Sequence, residues 1–223
     1  MGKSKGTISM QATTMIDYTR LAKNAKVGDG TYWIHPECVR HKLVFTGTNK
    51  EHLEFKAKDI GRNVSLIRPA NSARLGVYSN SKPLFSFTTL VDDMFTQYNR
   101  RVRLDVLEEF DMFDMVLWFL DDGCTIERRD NKRAGCVMRY RYFMCVGSLC
   151  SAVGAESRFL SIMQNLFGEV VEGRIGSIQK NNSKATVNNR NWLIPVSIAK
   201  HLVREARKLQ IPGFEDKLRM AGG

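Results

Sequence analysis

Two Asp-Gly pairs, each closing a helical stretch, are the residues of this sequence best suited to chemistry. Met115 to Leu120 is a run of six apolar residues, followed by Asp121, Asp122 and Gly123. Such a run predicts a helix buried nearly all round, and Gly123 can take the left-handed conformation that ends one. Acid at that end is unfavourable, because a helix C-terminus already carries partial negative charge. A cation bound at the helix foot would reverse the sign. The stretch from Leu21 to Val27 ends in the same way, in Gly28, Asp29 and Gly30. If the two helices pack side by side, Asp29 and Asp122 meet, and two close carboxylates need a divalent metal or a shared proton. Hard oxygen ligands suit Mg2+, which keeps waters and binds phosphate oxygens. That arrangement is the core of metal-assisted phosphodiester hydrolysis. One Asp-Gly alone is an ordinary turn former; two at matching places favour a function.

The charge balance points to a partner for such a site. In 223 residues, 34 Lys and Arg face 23 Asp and Glu, a net charge of +11. A basic folded chain favours polyanions, nucleic acid first and an anionic membrane surface second. With 43% hydrophobic and 26% charged residues the composition is globular. No apolar run approaches the roughly 18 residues of a membrane span. Residues 1–11 are polar and basic without the apolar core of a secretory signal. The five cysteines (Cys38, Cys124, Cys136, Cys145 and Cys150) are odd in number and form no C-x-x-C pair, which fits a reducing compartment better than a zinc or disulfide framework. His35 and His41 could bind metal but read as surface residues.

The elements that would position these groups alternate along the chain. Helices are expected over 13–28, 49–60, 84–98, 105–121, 155–167 and 195–210. Strands are expected over 32–47, 62–68, 73–79, 137–147, 174–180 and 184–190, bounded by turn signals such as Asn80-Ser81 and Asn181-Asn182. The halves repeat weakly. Val27 to Gly30 matches Leu120 to Gly123, Leu53 to Gly61 matches Leu160 to Gly168, and Pro83 to Val91 matches Pro195 to Val203. The offsets only grow, as longer loops in the second half would make them.

Polar alternation supplies a reading surface. Met138, Tyr140, Tyr142 and Met144 share one strand face, with Arg139 and Arg141 on the other. Lys184, Thr186, Asn188 and Arg190 share a face, as do Arg174, Gly176, Ile178 and Lys180. Arg, Lys, Asn and Thr read base edges, although a solvated sheet face alternates in the same way. Residues 127–132 read as a hairpin turn, and Trp33 and Trp192 as core or strand packing.

Trp118-Phe119-Leu120-Asp121-Asp122-Gly123-Cys124 resembles the second motif of the single-chain LAGLIDADG homing endonucleases, W-F-M-D-D-G. Val27-Gly28-Asp29-Gly30 is similar to a diverged first motif. The run Leu209 to Pro212 with Lys217-Leu218 is similar to the family's closing segment and basic residue, and the resemblance covers about residues 13–219. It implies an α+β fold of two pseudo-symmetric αββαββα halves, residues 13–103 and 104–223, after a basic tail of residues 1–12. Motif helices would form the central interface, with saddle-shaped antiparallel sheets over double-stranded DNA. The resemblance assigns Asp29 and Asp122 to two or three Mg2+ ions, with Gly28 and Asp121 beside them. Lys217 and Arg100, or equally Arg101, would support the developing charge. DNA contacts would come from Arg139, Arg141, Arg174, Lys180, Lys184, Asn188 and Arg190. It implies a monomeric, intracellular, intron- or intein-associated endonuclease. An RNA maturase acting on intron RNA, or a DNA-binding regulator, would keep the same fold. The first motif helix departs from the pattern: Lys23, Asn24 and Lys26 stand where small or apolar residues are expected. An outer-face placement of some of them would leave the contact to Ala22, Ala25 and Gly28.

Overall fold

The αββαββα order appears twice in a computed structural model, which describes residues 15–28, 30–34, 40–68, 82–129, 138–147, 149–150, 152–169, 171, 173–180 and 190–214, with backbone only at 68, 126–129, 138–140 and 180. The first set is α1 (Tyr18–Val27), β1 (Gly30–Trp33), β2 (Arg40–Gly47), α2 (Lys50–Lys58), β3 (Ser65–Arg68), β4 (Leu84–Asp92) and α3 (Asp93–Arg100). A short α4 (Arg103–Leu107) leads to the second set: α5 (Met112–Asp122), β5 (Gly123–Arg129), β6 (Met138–Cys145), α6 (Ala155–Phe167), β7 (Ser177–Lys180), β8 (Arg190–Ile194) and α7 (Val196–Lys208). Each set forms one antiparallel four-stranded sheet, ordered β1-β2-β4-β3 and β5-β6-β8-β7. No helix among the described residues is long and apolar enough to cross a membrane.

Both sheets bury one face under helices because their strands alternate. In β2, His41, Leu43 and Phe45 are buried between exposed or half-exposed neighbours, and in β4 the buried set is Phe87, Thr89 and Val91. Phe45 and Phe87 are ladder partners whose rings stack at 5.0 Å. The second half is pinned by a chain of edge-to-face rings, Trp118 to Phe159 at 6.4 Å and Phe159 to Trp192 at 5.5 Å, a geometry that the ring quadrupoles favour. Trp192 also donates its indole N–H to the Ile175 carbonyl at 2.9 Å.

Several expectations are corrected. Residues 84–92 are strand β4, not the start of a helix. The segment Leu84 to Val91 alternates on period two, and the buried Phe87, Thr89 and Val91 show which period won. Consequently Pro83–Val91 does not correspond to Pro195–Val203: β4 occupies the place of β8, and α3 that of α7. The expected helix over 105–121 is two helices, because Asp111 caps a new start. Glu127 to Arg129 belong to β5, paired with Tyr140, Arg139 and Met138. The expected strand at 73–79 lies outside the described residues, as does all but Arg190 of the one at 184–190. His41 is buried, with Nε2 3.4 Å from Asp93, and Trp33 is 64% exposed instead of packed.

The closing glycine of each motif is required by close approach. A Cβ on Gly30 would sit 2.4 Å from Ala25 Cα, and one on Gly123 would sit 2.2 Å from the Phe119 carbonyl oxygen. Gly123 has φ −67° and ψ 138°, so the left-handed ending does not occur. β5 turns straight off α5, and at Gly30 and Gly123 only hydrogen fits.

Candidate helix-foot site and nucleic-acid interface

The two motif helices meet through charge. Asp111 caps α5 by accepting from the Asp114 N–H at 2.8 Å, and Asp114 bonds back to the Asp111 N–H, a reciprocal capping box. Both carboxylates also receive α1. Arg20 donates to Asp111 at 2.8 and 2.9 Å and to Asp114 at 2.6 Å, while its guanidinium lies 4.5 Å from the centre of the Phe113 ring. Lys23 pairs with Asp114 and donates to the Glu109 carbonyl at 3.2 Å. Lys23 and Asn24 are therefore the contact face of α1, 8% and 3% exposed, and not an outer face. Lys26 reaches sideways to the Asn99 carbonyl at 2.6 Å. A basic stripe on α1 thus fits an acidic stripe on α5, a pairing that neither helix could make with a copy of itself.

Asp111 supplies a direct check on this interface. Burial alone would raise its carboxyl, but hydrogen bonding and charge from Arg20 override that and bring it down to about 2. Asp111→Ala removes the cap and one partner of Arg20, and should cost about 1–2 kcal/mol, measured by urea unfolding at pH 7. The wild-type contribution is present above the ordinary Asp range near about 4 and is lost as pH falls through about 2. The two proteins should therefore converge in acid.

At the feet of these helices the acid Asp121 has its cation. Lys56 of α2 donates to both of its oxygens, at 2.8 and 2.7 Å, and to Asn24 Oδ1 at 2.8 Å. His52 Nε2 lies 2.7 Å from Asp121 Oδ1, and Asn24 Nδ2 donates to Oδ2 at 3.2 Å. The side chains of Lys56 and Asp121 are each 1% exposed. Burial works to raise the Asp121 carboxyl, yet the charge of Lys56 and the bond from His52 hold it far below the usual range. A Cβ on Gly28 would lie 3.0 Å from Asp121 Oδ2, so the last residues of the two motif helices touch here. A cavity of about 650 Å³ opens beside the pair, lined in part by Asn49, His52, Lys56, Lys82 and Phe214.

Asp122 is separate from this cluster. Its residue is half-exposed, and Oδ2 accepts the Trp118 indole N–H at 2.8 Å, one turn back on the same helix. Beyond the feet, the outer faces of the sheets carry the polar groups. Arg141 is exposed on β6 opposite the buried Tyr142 and Met144. Two rows further along the same face, past Phe143 and Leu193, Cys145, Asn191 and Gln179 form one cross-strand row. On the first sheet Arg40 and Lys42 are exposed on β2.

With this geometry the chain superposes on solved structures over nearly its whole length. The homing endonuclease I-WcaI bound to its DNA recognition sequence matches with a TM-score of 0.62 at 15% identity, over 92% of this chain and 87% of that one. This chain has the LAGLIDADG fold. The LAGLIDADG meganuclease I-AabMI bound to uncleaved DNA matches at TM-score 0.52 and 11% identity, over 92% of this chain and 89% of that one. The meganuclease I-SmaMI bound to uncleavable DNA matches at 0.51 and 10%, with the same coverage. No family model and no curated protein matches the sequence.

Within the LAGLIDADG fold the expected site residues separate into groups. Gly28, Asp121 and Asp122 lie at the paired helix feet. Asp29, Lys217, Lys184 and Asn188 lie outside the described residues, and the side chains of Arg139 and Lys180 do as well. Arg100 stands exposed at the end of α3, 3.9 Å from Asp93 of its own helix. Arg101 pairs with Glu109. Arg174 is exposed but precedes β7. Arg190 is corrected: it lies on the same side of β8 as the buried Trp192 and Ile194, and its guanidinium pairs with Glu156 at 3.0 Å. Ile178, expected on one face with Arg174 and Lys180, packs against the core instead. Gln179 and Asn191 face outward instead. Their signal was present in the sequence, since each alternates with a large apolar residue, Ile178 or Trp192. Nothing local marked Lys56 or His52, which reach Asp121 across more than sixty residues.

Proposed function

We propose that this chain is a site-specific, homing-type DNA endonuclease that hydrolyses phosphodiester bonds of both strands at a long target, using divalent metal. The observation that carries the reading is the meeting of the two motif helices at Gly28 and Asp121, which brings the C-terminal ends of α1 and α5 to one place. The net charge of +11 and the exposed Arg40, Lys42 and Arg141 support a DNA partner. So does the shared fold with endonucleases solved on DNA. Asp122 fits a hard cation: it is a half-exposed carboxylate at a helix C-terminus, where positive charge is favoured. The Asp121 side chain does not fit, because the Lys56 ammonium already occupies both of its oxygens. Mg2+ held by Asp122 and Asp29 would activate water and stabilise the leaving oxygen. Around it this chain's own groups would orient Asp122 through Trp118 and keep Asp121 neutralised. The protein would act as a monomer, in an intracellular compartment that holds DNA.

The test is cleavage of the intronless allele of the gene beside this reading frame, with Mg2+ or with EDTA. Mg2+-dependent cutting of both strands at one position is the expected result. Tight binding without cutting would move the assignment to an RNA maturase or DNA-binding regulator. One observation favours that second reading: a buried ammonium beside the helix feet opposes cation binding there.

The sheet assignments separate in the same assay. Arg141→Ala should weaken binding by about 1–3 kcal/mol and relax selectivity at one base pair. Arg190→Ala should leave the base preferences unchanged, since its partner is Glu156. Equal loss of selectivity in both variants would reverse the placement of Arg190.

A further inference from the structure

On the outer face of the first sheet, register aligns Trp33, Lys42 and Leu90 in one row and Thr31, Val44 and Thr88 in the next. All six are exposed or half-exposed, and Trp33 and Leu90 are 64% and 47% exposed. Their chain neighbours Leu43, Phe45, Phe87 and Val91 are buried, so the strand period itself holds this block outside. A solvated sheet face commonly alternates to polar residues. This one presents three apolar side chains, two threonines and a single cation. Exposed apolar groups of this kind around Lys42, with Arg40 and its ladder partner Asp92 in the next row, mark an interaction surface.

We propose that this block reads thymine methyl groups in the major groove, so that the half-site beneath the first sheet is selected for T·A pairs. The inference rests on the DNA-binding reading. DNA is the occupant that suits the charge, because the chain is +11 and the charged residues on this face, Arg40, Lys42 and Asp92, leave it net basic. The face is also the counterpart, in the repeated fold, of the one that carries Arg141. Its chemistry narrows the readout further. Bidentate contacts to guanine need Arg or Lys, those to adenine need Asn or Gln, and cytosine is read by Asp or Glu. Among the six residues only Lys42 belongs to any of these sets. Apolar side chains and threonine methyls instead meet the 5-methyl of thymine, the one apolar group in the groove. The second sheet carries Arg141, Gln179 and Asn191 beside the half-exposed Phe143 and Leu193, so the two half-sites should differ in their share of hydrogen-bonded readout.

Selection of bound duplexes from a randomised library, by the wild-type chain and by Trp33→Ala, identifies the base pairs under this block as those whose preference changes. T·A pairs are expected at two or more of them. Replacing thymine by uracil at those positions, which removes only the methyl, should weaken binding about fourfold per methyl. A Trp33→Ala, Leu90→Ala variant should keep salt-dependent binding and lose that discrimination. Both positions are exposed, so the fold should tolerate the change. G·C pairs at those positions, or equal affinity for thymine and uracil duplexes, would overturn the inference and leave the DNA reading standing. Failure to select any duplex would overturn both.

Discussion

Lys56→Met should destabilise the protein by about 3–5 kcal/mol, the loss that follows when one member of a buried ion pair is removed and the other stays. Lys56 and Asp121 are each 1% exposed at the side chain, so the stranded carboxylate has little access to water. The methionine is of similar length and keeps the packing, which isolates the charge. Adding Asp121→Leu should recover much of the loss, because a buried pair replaced by apolar groups is often close to neutral. Chemical denaturation at pH 7 measures both. The pH dependence has a defined sign. Asp121 is held below its ordinary range in the folded state, so its contribution is present above the unfolded value near about 4 and disappears as pH falls through the lower folded value. Without Lys56 the carboxyl is easier to protonate, and acid should narrow the gap between variant and wild type. An unchanged midpoint for Lys56→Met would mean that Asp121 finds water in the adjoining cavity.

Asp122→Asn should abolish cutting while DNA affinity is kept or improves. Metal coordination supplies several kcal/mol of charge stabilisation in the transition state; at tenfold per about 1.4 kcal/mol, its loss lowers the rate by roughly 10³-fold or more. Affinity moves the other way because a negative charge beside the phosphates is removed. The amide oxygen of asparagine can still accept the Trp118 indole N–H, so thermal stability should change little. Mg2+-dependent nicking and binding to the same duplex, measured side by side, separate the two effects. Normal cleavage by Asp122→Asn would remove this residue from the metal site. Asp121→Asn offers the contrast, since its first consequence should be lost stability at Lys56.

The local pattern of the chain carried much of this. Six apolar residues from Met115 to Leu120 announced a helix buried on every side, and all six are at most 1% exposed. The period-two pattern around Tyr142 placed Arg141 on an outer face, and α2, α6 and α7 lie close to their expected spans. Periodicity failed where two periods compete. Leu84 to Val91 holds enough apolar residues for either a helix or a strand, and pairing with β2 decided for the strand. Arg190 is misplaced for a different reason: it continues the polar run from Lys184, although it alternates in step with Trp192 and Ile194, which are buried.

By itself the sequence determined the chain's basic character, its two Asp-Gly helix ends, most of its elements and its resemblance to the LAGLIDADG family. Each of these follows from residue type or from spacing within a few turns. Partnership was decided by the tertiary structure. An acid at a helix C-terminus needs a cation, and the sequence left open whether that cation is a metal or a side chain. Folding brings Lys56 and His52 to Asp121 and leaves Asp122 apart, so two adjacent, identical residues acquire different surroundings. Lys23 and Asn24 are odd on a packing helix until Asp114 and Asp121 arrive from the other half of the chain. Electrostatic energy depends on distance through space and on exclusion of water, and neither quantity is written in the order of residues along the chain.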